Sequence, residues 1–234
     1  MTSTQPHARG VFIAGTDTGV GKTHTTVRVV RALARCGLRV AAMKPVAAGA
    51  DPTARGLRNA DALLLAAAAN VPADYGRINP YCLPLPVSPH IAARDAGICI
   101  ETSVIATRFR ELAVVSDCVV VEAAGGWLAP ISDRESMADV ALALGLPVLL
   151  VVGLKLGCLN HARLTAEAIE ASGLALAGWI ANHIDPHYER LAENLETLER
   201  LLGRAPLAFV AHESTPSDLP EAVARGLFER LGAA

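Results

Sequence analysis

Aromatic side chains make up only 4% of the 234 residues, although 52% of the chain is hydrophobic. The core must therefore be built from Ala, Val, Leu and Ile, as in parallel sheets covered by helices on both faces. Long apolar runs are lacking as well. The most apolar stretch, Pro147 to Leu154, falls far short of the ~18 residues that a membrane span needs, so it is expected to be a buried strand and no membrane partner is expected. The five cysteines, Cys36, Cys82, Cys99, Cys118 and Cys158, are odd in number and show no C-x-x-C spacing. That argues against a disulfide framework and for reduced thiols in the cytoplasm. Neither sign of charge dominates, since 21 Lys and Arg face 23 Asp and Glu for a formal net charge of −2. The cations are dispersed, which removes the usual footprint of a nucleic-acid partner. The polar start, Met1 to Arg9, has no apolar signal core, and the histidines do not fall at zinc spacings.

What the sequence does contain is an alternation of short β-type runs with longer helical patterns, the mark of strand–helix–strand units. Strands are expected at Val11–Gly15, Arg39–Met43, Cys118–Glu122, Val148–Gly153, Leu176–Asn182 and Leu207–Val210. Helices are expected at Lys22–Cys36, Asp61–Ala69, Thr102–Val114, Met137–Leu144, His161–Ser172, Tyr188–Leu202 and Leu219–Leu231. Five prolines between Asn70 and Pro89 rule out a continuous helix there, and an ordered loop beside the site is expected instead. No linker or repeat divides residues 1–234, so one α/β domain is expected, with a mainly parallel central sheet.

The first strand leads into Gly15-Thr16-Asp17-Thr18-Gly19-Val20-Gly21-Lys22-Thr23, after which a helical pattern begins. The strict G-x-x-x-x-G-K-[ST] pattern is broken at its start, because its first glycine falls one place early, at Gly15. Its working end is intact. Backbone N–H groups over Gly19, Val20, Gly21, Lys22, Thr23 and His24 would cradle the phosphates of ATP, Lys22 would reach the β and γ phosphates, and the Thr23 hydroxyl would ligate Mg2+. Magnesium takes only one or two carboxylates from a protein. Glu122, closing an apolar strand, is one candidate. Asp61 is another, and spacing alone leaves it as either a ligand or a helix cap. Lys44 ends the second strand, where it could stabilise a developing anion or simply sit at the surface. The run Gly157-Cys158-Leu159-Asn160 opens a helix with free N–H groups, a second potential anion site. Asn182 offers a donor and an acceptor to a nucleobase edge.

In order along the chain, Gly15 to Thr23, Lys44-Pro45-Val46, Gly56 to Leu63, Asn79-Pro80-Tyr81, Ser88-Pro89-His90, Glu122 to Trp127, Val151 to His161 and Gly178 to Asn182 resemble the dethiobiotin synthetases. The resemblance spans nearly the whole chain. It implies a P-loop NTPase-like fold and ATP-dependent closure of a cyclic urea on 7,8-diaminopelargonate and CO2, through a carbamate and a carbamic–phosphoric anhydride. It further implies Thr23, Asp61 and Glu122 as Mg2+ ligands, Lys22, Lys44 and Thr18 at the reacting groups, and Asn182 on the base. It implies a homodimer as well, with Gly157 to Asn160 of the neighbouring subunit holding the substrate carboxylate. Three places depart from the family pattern: Ala48 stands where a hydroxyl is usual, Ala123 where a glycine is, and Ala208 to Ala211 replace Gly-x-Ile-Pro. Two other readings remain: a partition-type ATPase, whose second signature lysine is Asp17 here, and a nucleotide-binding relative without synthetase activity.

Overall fold

The computed structural model describes residues 9–212 and 219–231. Most of the polar start, residues 1–8, lies outside them. The chain opens with β1 (Arg9–Gly15) and α1 (Lys22–Arg35), then β2 (Val40–Met43) and three short strands, β3 (Val46–Ala48), β4 (Asp51–Thr53) and β5 (Gly56–Arg58). Next come α2 (Ala60–Ala68), α3 (Tyr75–Ile78), β6 (Tyr81–Leu83), α4 (Pro89–Asp95), α5 (Thr102–Val114) and β7 (Cys118–Glu122). The remainder alternates as α6 (Met137–Leu144), β8 (Val148–Leu154), α7 (Cys158–Ala171), β9 (Leu176–His183), α8 (Leu191–Leu202), β10 (Ala208–Val210) and α9 (Glu221–Arg230).

Six strands form one parallel sheet in the order β10-β9-β8-β1-β7-β2. Strand pleating sends alternate side chains to opposite faces, and the aliphatic runs supply both. Val11 and Ile13 of β1 pack with Val29 and Leu33 of α1 and with α2 and α9, whereas Phe12 and Ala14 face the side covered by α4 to α8. Because β1 has β7 on one side and β8 on the other, the chain changes direction around β1, and a crevice opens beyond its carboxyl end.

Three expectations are corrected. The segment Asn70–Pro89 is not loop throughout: it contains α3 and β6, and β6 pairs with β3 in parallel, Val46 with Tyr81 and Ala48 with Leu83. The start of α7 is also earlier, at Cys158 rather than His161, because Gly157 with φ 93° turns the chain directly into the helix. Similarly, α8 starts at Leu191 rather than Tyr188, after Arg190 with φ 55°.

Candidate active site

The crevice is lined first by the turn between β1 and α1. Gly19 and Gly21 adopt φ 75° and 78°, a conformation that L side chains rarely take. Gly21 also lacks room, since an added Cβ would stand 2.1 Å from Asn182 Nδ2. That amide is buried and donates to the Val20 carbonyl at 2.8 Å, tying the turn to β9. The N-terminus of α1 has no side-chain cap and no acidic residue in its first turn, so its N–H groups are open to an anion.

Lys22 folds back over the turn, where its Nζ donates to the Asp17 carbonyl at 2.8 Å. Burial, with the Lys44 charge adding to it, pulls the pKa of Lys22 down to about 8 against the opposing pull of Glu122, Asp17 and Asp61. Below that value both the folded and unfolded chains carry the proton. Between about 8 and the ordinary 10.5 the unfolded chain holds more protons, so the stability of the nucleotide-free protein climbs with pH across this window. Thermal denaturation between pH 7.5 and 10 should give a shallower rise for Lys22→Met than for the parent chain; equal slopes would contradict the burial argument.

Beside the turn, the ends of β2 and β7 bring together a lysine and a glutamate that are 78 positions apart in the sequence. Lys44 Nζ donates to Glu122 Oε1 at 2.5 Å and to the Ala123 carbonyl at 3.3 Å, and lies 3.3 Å from Asp61 Oδ2. Thr23 Oγ1 donates to the same Glu122 oxygen at 2.8 Å. Burial by itself would lower the Lys44 pKa, but Glu122 and then Asp61 outweigh it and hold the ammonium above its ordinary value. Lys44 is thus a buried cation, not a surface lysine. Glu122 is fully buried, and its second oxygen, Oε2, has no hydrogen-bond partner. Such an orphaned anionic oxygen is costly unless a cation or water meets it.

Asp61 is not the helix cap. The cap of α2 is Asn59, whose φ of −102° and ψ of 136° lie outside the helix and whose side chain accepts from Ala62 N. Asp61 falls in the first turn, half-exposed, with its carboxylate directed to Lys44.

Lys44 and Asp61 open into a cavity of about 600 Å3. Its polar side carries Asp17, Thr18, Lys44, Asn59 and Asp61, and its apolar side Ala47, Ala48, Pro86, Val87, Pro89 and Ala129. Position 48 therefore presents a methyl group to the cavity. Ala123 is buried outside the left-handed region, since among the described residues Arg190 is the one non-glycine with positive φ, so its Cβ costs nothing. Of the expected site residues, Thr18, Lys44 and Asp61 line this cavity, whereas the turn Gly19 to His24, Glu122, Gly157 to Asn160 and Asn182 do not. Gly157 and Asn160 are exposed at the start of α7, while Cys158 is buried with its Sγ 3.3 Å from Tyr188 Oη. Sequence reasoning missed Asn59, and also the pair Asp17 and Lys155, which approach to 3.7 Å at the mouth of the turn. Lys155 carried a signal, because it lies in the run Gly153 to Gly157 after an apolar strand.

A family model described as an AAA domain matches residues 9–215. A dethiobiotin synthetase of Xanthomonas euvesicatoria is 49% identical over 200 residues, covering 83% of this chain and 89% of that protein. A second, from Pseudomonas aeruginosa, is 49% identical over 212 residues and covers 88% and 92%. The chain belongs to the dethiobiotin synthetase family. It is accordingly an enzyme of the ligase class that works with ATP. Among solved structures, the cell-division protein MinD of Aquifex aeolicus in its complex with MinC aligns with TM-score 0.55 at 18% identity over 96% of this chain and 94% of that one. A ParA family ATPase of Chlorobium tepidum gives TM-score 0.55 at 13% identity over 96% and 91%. Those two share the fold with the dethiobiotin synthetase family member described here, and at such identities the likeness goes no further. The P-loop NTPase-like, mainly parallel α/β architecture agrees with the sequence reading.

Proposed function

We propose that this chain closes the ureido ring of dethiobiotin from 7,8-diaminopelargonate and CO2, giving ADP and phosphate. The observation that carries this reading is Lys44, a buried cation held between Glu122 and Asp61 at the wall of a cavity adjoining an uncapped helix N-terminus. One amine of the substrate takes up CO2 as a carbamate, whose oxygen attacks the γ-phosphoryl group of ATP. The second amine then attacks the carbamic–phosphoric anhydride and expels phosphate, so no covalent enzyme intermediate is needed. Lys44 would neutralise the carbamate and the transferring phosphoryl group, with Thr18 beside it, and Lys22 would leave the Asp17 carbonyl for the phosphates. Gly19, Val20, Gly21, Lys22, Thr23 and His24 would hold the triphosphate through backbone N–H groups. With its Nδ2 engaged on Val20, Asn182 would offer Oδ1 to a base, which suits the amino group of adenine.

The residues present fit a magnesium ion. Glu122 Oε2 is a buried oxygen without a partner, Thr23 supplies a hydroxyl beside it, and Asp61 adds a second carboxylate, all hard oxygen donors. When bound, the ion would offset charge on the β and γ phosphates. The apolar wall of Ala47, Pro86 and Val87 suits a methylene chain, and Ala48 leaves the carbamate to Lys44. Gly157 to Asn160 would serve the remote carboxylate across a homodimer interface, which explains why they lie outside the cavity of their own chain. The whole chain, 1–234, would act as one domain in the cytoplasm; among the described residues no helix is long and apolar enough to cross a membrane.

Phosphate release should require ATP, Mg2+, bicarbonate and 7,8-diaminopelargonate together, tested by omitting each in turn. Release that persists undiminished without the diamine would sink this reading and favour a nucleotide-hydrolysing relative.

A further inference from the structure

We propose that Tyr75 is a positioning residue that sets Lys44 and Asp61 relative to each other, because its phenol fastens both the backbone behind the lysine and the helix that bears the carboxylate. The inference rests on the proposed magnesium and phosphate site. Lys44 and Asp61 lie on separate elements, the end of β2 and the first turn of α2. Their 3.3 Å contact involves a carboxylate 44% exposed, too open to water for the pair to align those elements unaided. The alignment comes from beneath.

The Tyr75 oxygen accepts the Asn59 backbone N–H at 2.8 Å and lies 3.0 Å from Asn79 Oδ1. A carboxamide oxygen only accepts, so the single phenolic proton goes to Asn79 and the Cys82 thiol, 3.6 Å away, is left as a donor. Asn79 Nδ2 in turn donates to the Lys44 carbonyl at 2.7 Å and to that of Tyr81 at 3.2 Å. On the other side, Asn59 caps α2 through Ala62 N and donates to the Ala48 carbonyl at 3.3 Å. A continuous line of hydrogen bonds thus runs from Lys44 through Asn79, Tyr75 and Asn59 to the turn that carries Asp61. Both asparagines are buried, and the Arg58 guanidinium covers the phenol ring with its carbon 4.1 Å from the ring centre. Burial pushes the Tyr75 pKa up to about 12, so the proton stays in place throughout the working range. Buried polar lines of this kind hold geometry because every member is satisfied, and the loss of one strands its neighbours.

Tyr75→Phe keeps the ring under Arg58 and removes only the oxygen. The test measures ATP binding by calorimetry across a Mg2+ titration in the parent chain, Tyr75→Phe, Asp61→Asn and the double variant. Each single change should raise the half-saturating Mg2+ by about 10- to 100-fold, as for other residues that support a ligand from behind. The double variant should be no worse than the weaker single, since Tyr75 acts through Asp61. A merely structural role would lower the melting temperature and leave the half-saturation unmoved. An unshifted titration, or fully additive effects in the double variant, overturns the proposal. Should Tyr75→Phe not fold, Asn79→Ala cuts the same line and must give the same shift. Binding in the parent chain that ignores Mg2+ would instead count against the magnesium site itself.

Discussion

A Lys44→Ala enzyme should turn over about 10²- to 10³-fold more slowly than the parent, the scale of one lost donor that serves a developing anion, or about 2.7–4 kcal/mol. The loss has two separable parts. One is the missing charge that the proposed mechanism sets beside the transferring phosphoryl group. The other is what remains: Glu122 is fully buried, and without the ammonium it keeps only the Thr23 hydroxyl. Leaving one member of a buried pair uncompensated typically costs about 3–5 kcal/mol of stability. The melting temperature should therefore fall as well, and Glu122→Gln in the same chain should recover much of it without recovering turnover. Unimpaired turnover in Lys44→Ala would remove the residue from the mechanism. The same variant tests the shared site. In the proposed homodimer, mixing with Asn160→Asp, which would set a negative charge against the substrate carboxylate, would give a heterodimer with one site carrying both defects and one carrying neither. About half the parent activity per heterodimer should return after subunit exchange. If none returns, Lys44 and Asn160 serve the same chain.

Gly21→Ala should weaken ATP binding by more than about 100-fold, by two routes. Its φ of 78° costs an L residue about 1–2 kcal/mol. Its new Cβ would also fall 2.1 Å from Asn182 Nδ2, well inside contact distance, so either the turn or the amide must move. Movement of the amide breaks its bond to the Val20 carbonyl and leaves the phosphate cradle without its tie to β9. Adding Asn182→Ala relieves the collision but not the backbone cost, so the double variant should bind ATP better than Gly21→Ala and worse than Asn182→Ala alone. Calorimetric titration orders the three. If the double variant is no better than Gly21→Ala, relief of the collision does not outweigh the lost contacts of Asn182, and crowding is the smaller part of the effect.

Much of this fold was legible because the sheet strands are continuous aliphatic runs such as Val119-Val120-Val121 and Val148 to Leu154, separated by helical patterns long enough to show a period. The glycine turn before Lys22 and Thr23 announced itself by composition. Strands of three residues, such as β3 and β6, cannot display a period, and the prolines around β6 concealed it further. The distinction between Asn59 and Asp61 was equally out of reach. Both residues suit a helix start, and only the backbone angles at Asn59 assign the cap, freeing Asp61 to meet Lys44. Glu122 and Lys44 could each be placed at a strand end, but their salt bridge depends on β2 and β7 being neighbours, which a single sequence does not state. Lys44, Asn59 and Asn79 each fall in a stretch that carries the family resemblance, but nothing in the sequence joins those stretches through Tyr75, because each link pairs residue types that are common everywhere.

The bond from Asn182 to Val20 spans 162 positions of sequence. Both strands that flank β1 also come late, its pairing with β7 starting at Cys118 and that with β8 at Val148. A ribosome therefore releases the glycine turn long before it releases the strands that flank β1 or the Asn182 amide that ties the turn to β9. The first strand emerges without a neighbour and must wait for more than half of the polypeptide before it joins a sheet, a pairing pattern that slows folding. The tie from Asn182 to the Val20 carbonyl cannot form before β9 has left the exit tunnel. Any product of synthesis that stops short of Asn182 carries the whole P-loop sequence yet lacks the strand that steadies it, and should behave as a substrate for proteases rather than as a nucleotide-binding fragment.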